Sequence, residues 1–165
     1  MSHPTNLKDV YIEELRDLWS ANDQMQEVLP EMAAHAKSPK LKSMLQKSIS
    51  GVAKHTQVLK SLVESNGGKV AKDHCKGMEG LVAEALKHGV HEAPKDGELR
   101  DIAIVTQYQR MSHYGITGFG SVASLAEALG KQDAVKTLKG IVADIYKADE
   151  YSSHLGESAA KKAAK

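Results

Sequence analysis

Tyr11, Leu15, Leu18, Asn22, Met25, Leu29, Met32 and Ala36 follow one another at spacings of three and four. Only an α-helix brings such positions onto one face. A helix from about Leu7 to Ala36 would be about 45 Å long at 1.5 Å per residue, and a face of that length needs other long helices to cover it. Thr5 or Asn6 can cap its start, with Asp9 favourably placed in the positive first turn. Pro30 predicts a kink or a break near Leu29.

Three more segments have the same character. The second opens with Ser38 as N-cap and Pro39 in the first helical position. It carries Leu41, Leu45, Ser48, Val52, His55, Leu59 and Leu62 on one face and stops at Asn66-Gly67-Gly68. The third runs from about Glu98 to Leu129 and ends at Gly130, with Val105, Tyr108, Ser112, Gly115, Phe119, Val122 and Ala126 inward. The fourth runs from about Gln132 to Ser158, with Leu138, Ile141, Ile145, Ala148, Ser152 and Leu155. No strand alternation occurs.

Loop lengths set the topology. Short connections make segments one and two antiparallel, and likewise three and four. The stretch from Asn66 to about Gly97 is too long for a helix hairpin and holds a short amphipathic piece, about Cys75 to His88. It lets segment three start at the same end as segment two. The expected fold is all-α: a ferritin-like four-helix bundle with one long crossover carrying a short fifth helix. The bundle spans residues 6–158, and the Lys/Ala-rich tail, 159–165, is expected to fray.

Composition narrows the function classes. Aromatic residues are 4% of the 165 positions, so the core must be aliphatic and methionine-rich. A net charge of +1 lacks the basic excess of a nucleic-acid binder. The single cysteine, Cys75, excludes an intrachain disulfide. The first residues lack the apolar stretch of a secretory signal, and nothing approaches about 18 consecutive apolar residues. The expectation is a cytoplasmic protein with no membrane partner.

Chemistry must therefore be sought among polar residues on the buried stripes. Asn22 interrupts a Leu/Met line and is either a hydrogen-bonded core amide or part of a site. His55 lies on the apolar face of segment two, and His113 sits one position off the stripe of segment three. Each is a core or boundary histidine unless further ligands converge on it. No His-Glu-x-x-His occurs. Gly115, Gly118 and Gly120 lie within one helix, each costing about 1 kcal/mol relative to Ala. They report close helix approach or a cavity, and Gly51 poses the same question. Lys72, His74 and Lys76 flank Cys75 and would lower its pKa, but no base-and-orienter set accompanies the thiol.

Three blocks of sequence resemble a known family. They are Asp9-Val10-Tyr11-Ile12 with Leu15-Arg16-Asp17-Leu18-Trp19-Ser20-Ala21; Cys75-x-x-Met78-Glu79-Gly80-Leu81 with Glu84; and Arg100-Asp101, Gln109, His113-Tyr114 and Leu125-Ala126-Glu127-x-Leu129-Gly130. Together they resemble the YciE/YciF-type ferritin-like bacterial stress proteins from about Asn6 to Leu155. The resemblance implies a cytoplasmic homodimer and, in many members, a di-metal carboxylate site between the long helices. This sequence departs from that ligand pattern. The helix-one Glu is Asn22. The His-x-x-Glu of helix two falls on Ser48 and Gly51. The Glu-His-Tyr-Glu of helix three reads Ser112-His113-Tyr114-Gly115. In helix four the ligand position falls on Asp144 or on Ile145, depending on register.

Two readings follow. In the first, the protein is a non-enzymatic, dimeric stress protein with no metal cofactor. Its degenerate site is a cavity lined by Asn22, Ser48, Gly51, His55, Ser112, Gly115 and Asp144. In the second, iron or manganese binds at a rearranged site built from Asp144, His55 and His113, with Asn22 as a further donor, and the protein handles iron or peroxide.

Overall fold

The computed structural model describes residues 3–70 and 75–165. The described residues form helices and connections only, with no strand. The helices are α1 (Leu7–His35), α2 (Pro39–Ser65), α3 (Lys76–Leu86), α4 (Gly97–Ala128) and α5 (Gln132–Ala163). A π-helical turn, Lys87–His91, prolongs α3.

The starts of α1, α2 and α4 are capped by side chains. Asn6 Oδ1 accepts from Asp9 N–H at 3.0 Å, and Thr5 donates to Asp9 Oδ2 through both its backbone N–H and its hydroxyl. Ser38 and Asp96 cap α2 and α4. After α2 and α4 the chain turns at Gly67 (φ 84°) and Gly130 (φ 71°), left-handed positions that favour glycine.

Contacts between helices confirm the crossover. Ser48 meets Tyr108, and His55 meets Phe119, so α2 and α4 run in the same direction. Lys37 N–H reaches Asp101 while Leu18 packs beside Gly118, so α1 and α4 are antiparallel. An up-and-down bundle would reverse α4 against α2. α1 packs mainly on α2, and α4 on α5, while α3 lies against α1 and α4.

The crossover is fastened at Cys75. Its N–H donates to Ser20 Oγ at 3.0 Å, and its carbonyl accepts from Gln24 Nε2 at 3.2 Å. The α1–α2 connection is fastened by Asp101, 4% exposed, whose two oxygens accept from Lys37 N–H (2.7 Å) and Ser38 N–H (2.8 Å).

Of the kink or break that Pro30 allows, the break does not occur: α1 continues to His35. The buried side chains of Val28, Leu29, Met32 and Ala33 hold both sides of the proline in one packed face. This offsets the roughly 3 kcal/mol that an interior proline costs. At the far end α5 runs on to Ala163 with Ala159 buried, so helix extends into the Lys/Ala-rich segment.

The core has two parts. One centres on Met25, Met32, Leu41, Leu45, Ile104 and Met111. The other centres on Tyr11, Leu15, Leu59, Phe119, Val122 and Leu138. The polar stripe positions fall where the two meet.

Candidate functional site

At that junction lies a cavity of about 460 Å³ between the four long helices. Helix α1 contributes Asn22 and Met25. Helix α2 contributes Ser48, Gly51 and His55, one to two turns apart. From α4 come Tyr108, Ser112 and Gly115, and from α5 come Asp144 and Ile145. The structure thus brings Asn22, Ser48, Gly51, His55, Ser112, Gly115 and Asp144 around one space.

The glycines separate into two kinds. A Cβ on Gly51 would meet nothing within 4 Å, and on Gly115 only Ile145 Cδ1 at 3.6 Å. On Gly118 it would meet Leu18 Cδ1 at 2.6 Å. Gly118 therefore serves close approach of α4 to α1, whereas Gly51 and Gly115 leave space. We expect Gly51→Ala and Gly115→Ala each to raise stability by about 0.5–1 kcal/mol, the ordinary helix-propensity gain. Gly118→Ala should lower it, because Leu18 is packed in the core. Chemical denaturation of the three variants checks the ordering.

Register on α5 is settled by the same geometry. Ile145 is the residue that approaches Gly115, while Asp144 stands at the mouth with its side chain 66% exposed and Lys147 Nζ 3.7 Å away. One residue along a helix is a rotation of about 100°, enough to exchange the two.

The same rotation removes His113 from the rearranged-site proposal. Position 113 follows the inward Ser112, so its ring lies outside the cavity and pairs with Asp149 Oδ2 at 3.0 Å, 59% exposed. Gln109 Nε2 completes that outer cluster, donating to Asp149 Oδ1 at 3.0 Å and Ser153 Oγ at 2.8 Å. Asp144, His55 and His113 therefore do not converge. Among the described residues no group of three or more His, Cys, Asp or Glu side chains is placed to hold a metal ion.

The polar groups within the cavity wall are neutral. Ser48 Oγ and Tyr108 OH share a hydrogen bond of 2.9 Å, and burial pushes the phenol above its ordinary pKa. Ser112 Oγ lies near the same hydroxyl without the geometry of a hydrogen bond. Asn22 Nδ2 is buried and has no partner, an uncommon state for a core amide.

His55 stacks edge-on against Phe119, with centroids 5.7 Å apart. Burial lowers its pKa below the ordinary 6.5; the Asp144 charge opposes the shift and Lys54 reinforces it. The unfolded chain therefore takes up the proton first as pH falls, so this residue's contribution to stability is present above about 6.5 and lost below it. We expect His55→Gln to flatten the fall in stability between neutral pH and pH about 5. Denaturant midpoints across that range check it.

Cys75 behaves differently from its sequence surroundings. Its thiol lies 2.9 Å from Tyr114 OH and donates to Asp17 Oδ2 at 3.2 Å, while Tyr114 OH donates to the same oxygen at 3.1 Å. Burial pushes both the thiol and the phenol up, against the lowering that flanking bases suggested. Lys72 and His74 lie outside the described residues. Asp17 enters the sequence analysis only within a family-like block and not as a partner of Cys75, because a carboxylate beside Arg16 looks like solvated surface. Its i, i+3 spacing to Ser20 and then Gln24, all facing α3, was the available signal.

The family model described as Domain of unknown function (DUF892) matches residues 6–165. This chain belongs to that family. The protein YciF of Escherichia coli is 33% identical over 134 residues, 81% of this chain and 80% of YciF. The crystal structure of the E. coli stress protein YciF superposes with a TM-score of 0.89 at 29% identity, covering 96% of this chain and 99% of that one. A ferritin-like, diiron-carboxylate protein from Bacillus anthracis shares the fold, with a TM-score of 0.67 at 16% identity over 94% of this chain and 99% of that one. This DUF892 chain is therefore a ferritin-like bundle.

The donors at its centre do not fit a di-metal group. Two adjacent divalent ions need bridging carboxylates to compensate their charge. Here the inward positions hold an amide, two hydroxyls, two glycines and an isoleucine. Asn22, whose Nδ2 is unpaired, is a neutral amide and brings no charge to compensate a cation.

Proposed function

We propose that this protein is a YciF-type stress protein whose di-metal centre has been lost, and that it acts by binding and not by redox catalysis. The observation that carries this reading is the donor set: the one carboxylate lining the cavity, Asp144, sits at the mouth and is largely exposed. Fold alone does not assign function, and a charge-poor centre supports the binding role. The reading includes a homodimer in the cytoplasm, as the family resemblance implies. No helix among the described residues is long and apolar enough to cross a membrane.

The rearranged iron or manganese site has less support. His55 is the only histidine among the cavity residues, and Lys47, Lys54 and Lys147 surround the mouth, a poor entrance for a cation.

Thermal unfolding with chelator, iron(II) or manganese(II) tests the reading. A resident site filled at 100-fold excess over Kd would add about 2.7 kcal/mol. We expect melting temperatures to coincide within error; a clear rise with metal that Asp144→Ala or His55→Ala abolishes would overturn the loss of the centre. Light scattering on the same sample tests the dimer.

A further inference from the structure

The cavity distributes its chemistry unevenly. Its interior is formed by flexible or small apolar side chains, Met25, Met44, Met111 and Ile145 among them. Its mouth lies between α2 and α5, the neighbouring long helices that touch least. There Lys47 and Lys54 stand seven residues apart on one face of α2, on either side of Gly51. Neither makes an ion pair among the described residues, whereas Lys147 on the opposite lip has Asp144 beside it. The volume, about 460 Å³, falls within the range of small-molecule sites, and methionines adapt to irregular apolar guests.

We propose that the emptied centre binds a small amphipathic carboxylate of the medium-chain fatty-acid type. The apolar chain lies on the methionine floor beneath Gly51 and Gly115, and the carboxylate lies at the mouth between Lys47 and Lys54. A compact polyanion would leave the apolar interior unused, and a neutral hydrocarbon would leave the lysines unused. This rests on the reading that no metal occupies the centre.

Decanoate and decanol, which share a chain and differ in charge, separate the two contributions. In calorimetric titration of the full chain, decanoate should bind about once per chain and roughly fivefold to tenfold more tightly than decanol, the effect of two exposed lysines. That advantage should shrink with added salt. The double substitution Lys47→Gln/Lys54→Gln should bring decanoate down to the decanol affinity and leave decanol unchanged. Gly51→Leu fills open space and favours helix, so it should abolish binding of both while the melting temperature holds or rises.

Absence of decanoate binding overturns the proposal. So does equal binding of the two ligands untouched by the lysine substitutions, and so does binding that survives Gly51→Leu. Failure of decanoate in a protein that also ignores iron and manganese overturns the ligand alone. A metal-induced rise in melting temperature overturns the underlying reading as well.

Discussion

Returning ligands to the bundle centre should turn this chain into a protein that needs metal to fold. The variant carries Asn22→Glu, Ser48→His, Gly51→Glu, Ser112→Glu, Gly115→Glu and Ile145→Glu. The structure places all six positions around the cavity of about 460 Å³. Without metal, five carboxylates facing one another in a partly buried space each carry a desolvation cost of several kcal/mol. Together these exceed the 5–15 kcal/mol that typically stabilises a domain. Two divalent cations would compensate the charges, so binding and folding become one event. Circular dichroism should show an unfolded or collapsed chain with chelator and a helical one with manganese. The matching variant with Gln in place of each Glu should stay folded under both conditions and bind nothing. A restored chain that folds without metal and ignores manganese would mean that these positions do not form a ligand set.

The second large effect is structural. Asp101→Ala should cost about 3 kcal/mol, because it removes two charge-assisted hydrogen bonds and leaves the Lys37 and Ser38 N–H groups without their acceptors. For a chain of this length that is a fall in melting temperature of roughly 6–12 °C. Asp101→Asn keeps one acceptor but presents an NH2 to the second N–H, so it should recover less than half of the loss. Thermal unfolding of both variants checks the order, and a loss below 1 kcal/mol for Asp101→Ala would mean that water replaces the carboxylate in the hairpin.

The architecture was legible because its determinants are local and periodic. Stripes such as Tyr11 to Met32 and the short links at Ala36–Ser38 and Leu129–Lys131 specify long antiparallel pairs, and the long link after Asn66 permits the parallel placement of α4 on α2. Pro30 left a kink and a break open, because a backbone rule carries no information on the burial of Leu29 and Met32 beside it, which holds the helix in one piece. The cavity residues were legible as polar or glycine positions on inward stripes. Their exact facing was not, because a register shift of one residue decides between Asp144 and Ile145 and sends His113 outward to Asp149. In the sequence the lysines at the mouth are indistinguishable by residue type from solvated helix surface. They are exposed, and only the space beneath Gly51 makes Lys47 and Lys54 neighbours of a cavity; their seven-residue spacing astride an inward glycine was the one signal in the sequence. Cys75 drew attention as a thiol, yet its backbone contacts with Ser20 and Gln24 give its position a structural purpose.

The most direct test of the central claim is diffraction from crystals grown with manganese(II), collected for its anomalous signal. The account predicts no anomalous peak between α1, α2, α4 and α5, with solvent or organic density in the space beside Asn22, His55 and Gly115. A strong peak there, within bonding distance of Asp144, His55 or the Asn22 carbonyl, would contradict it.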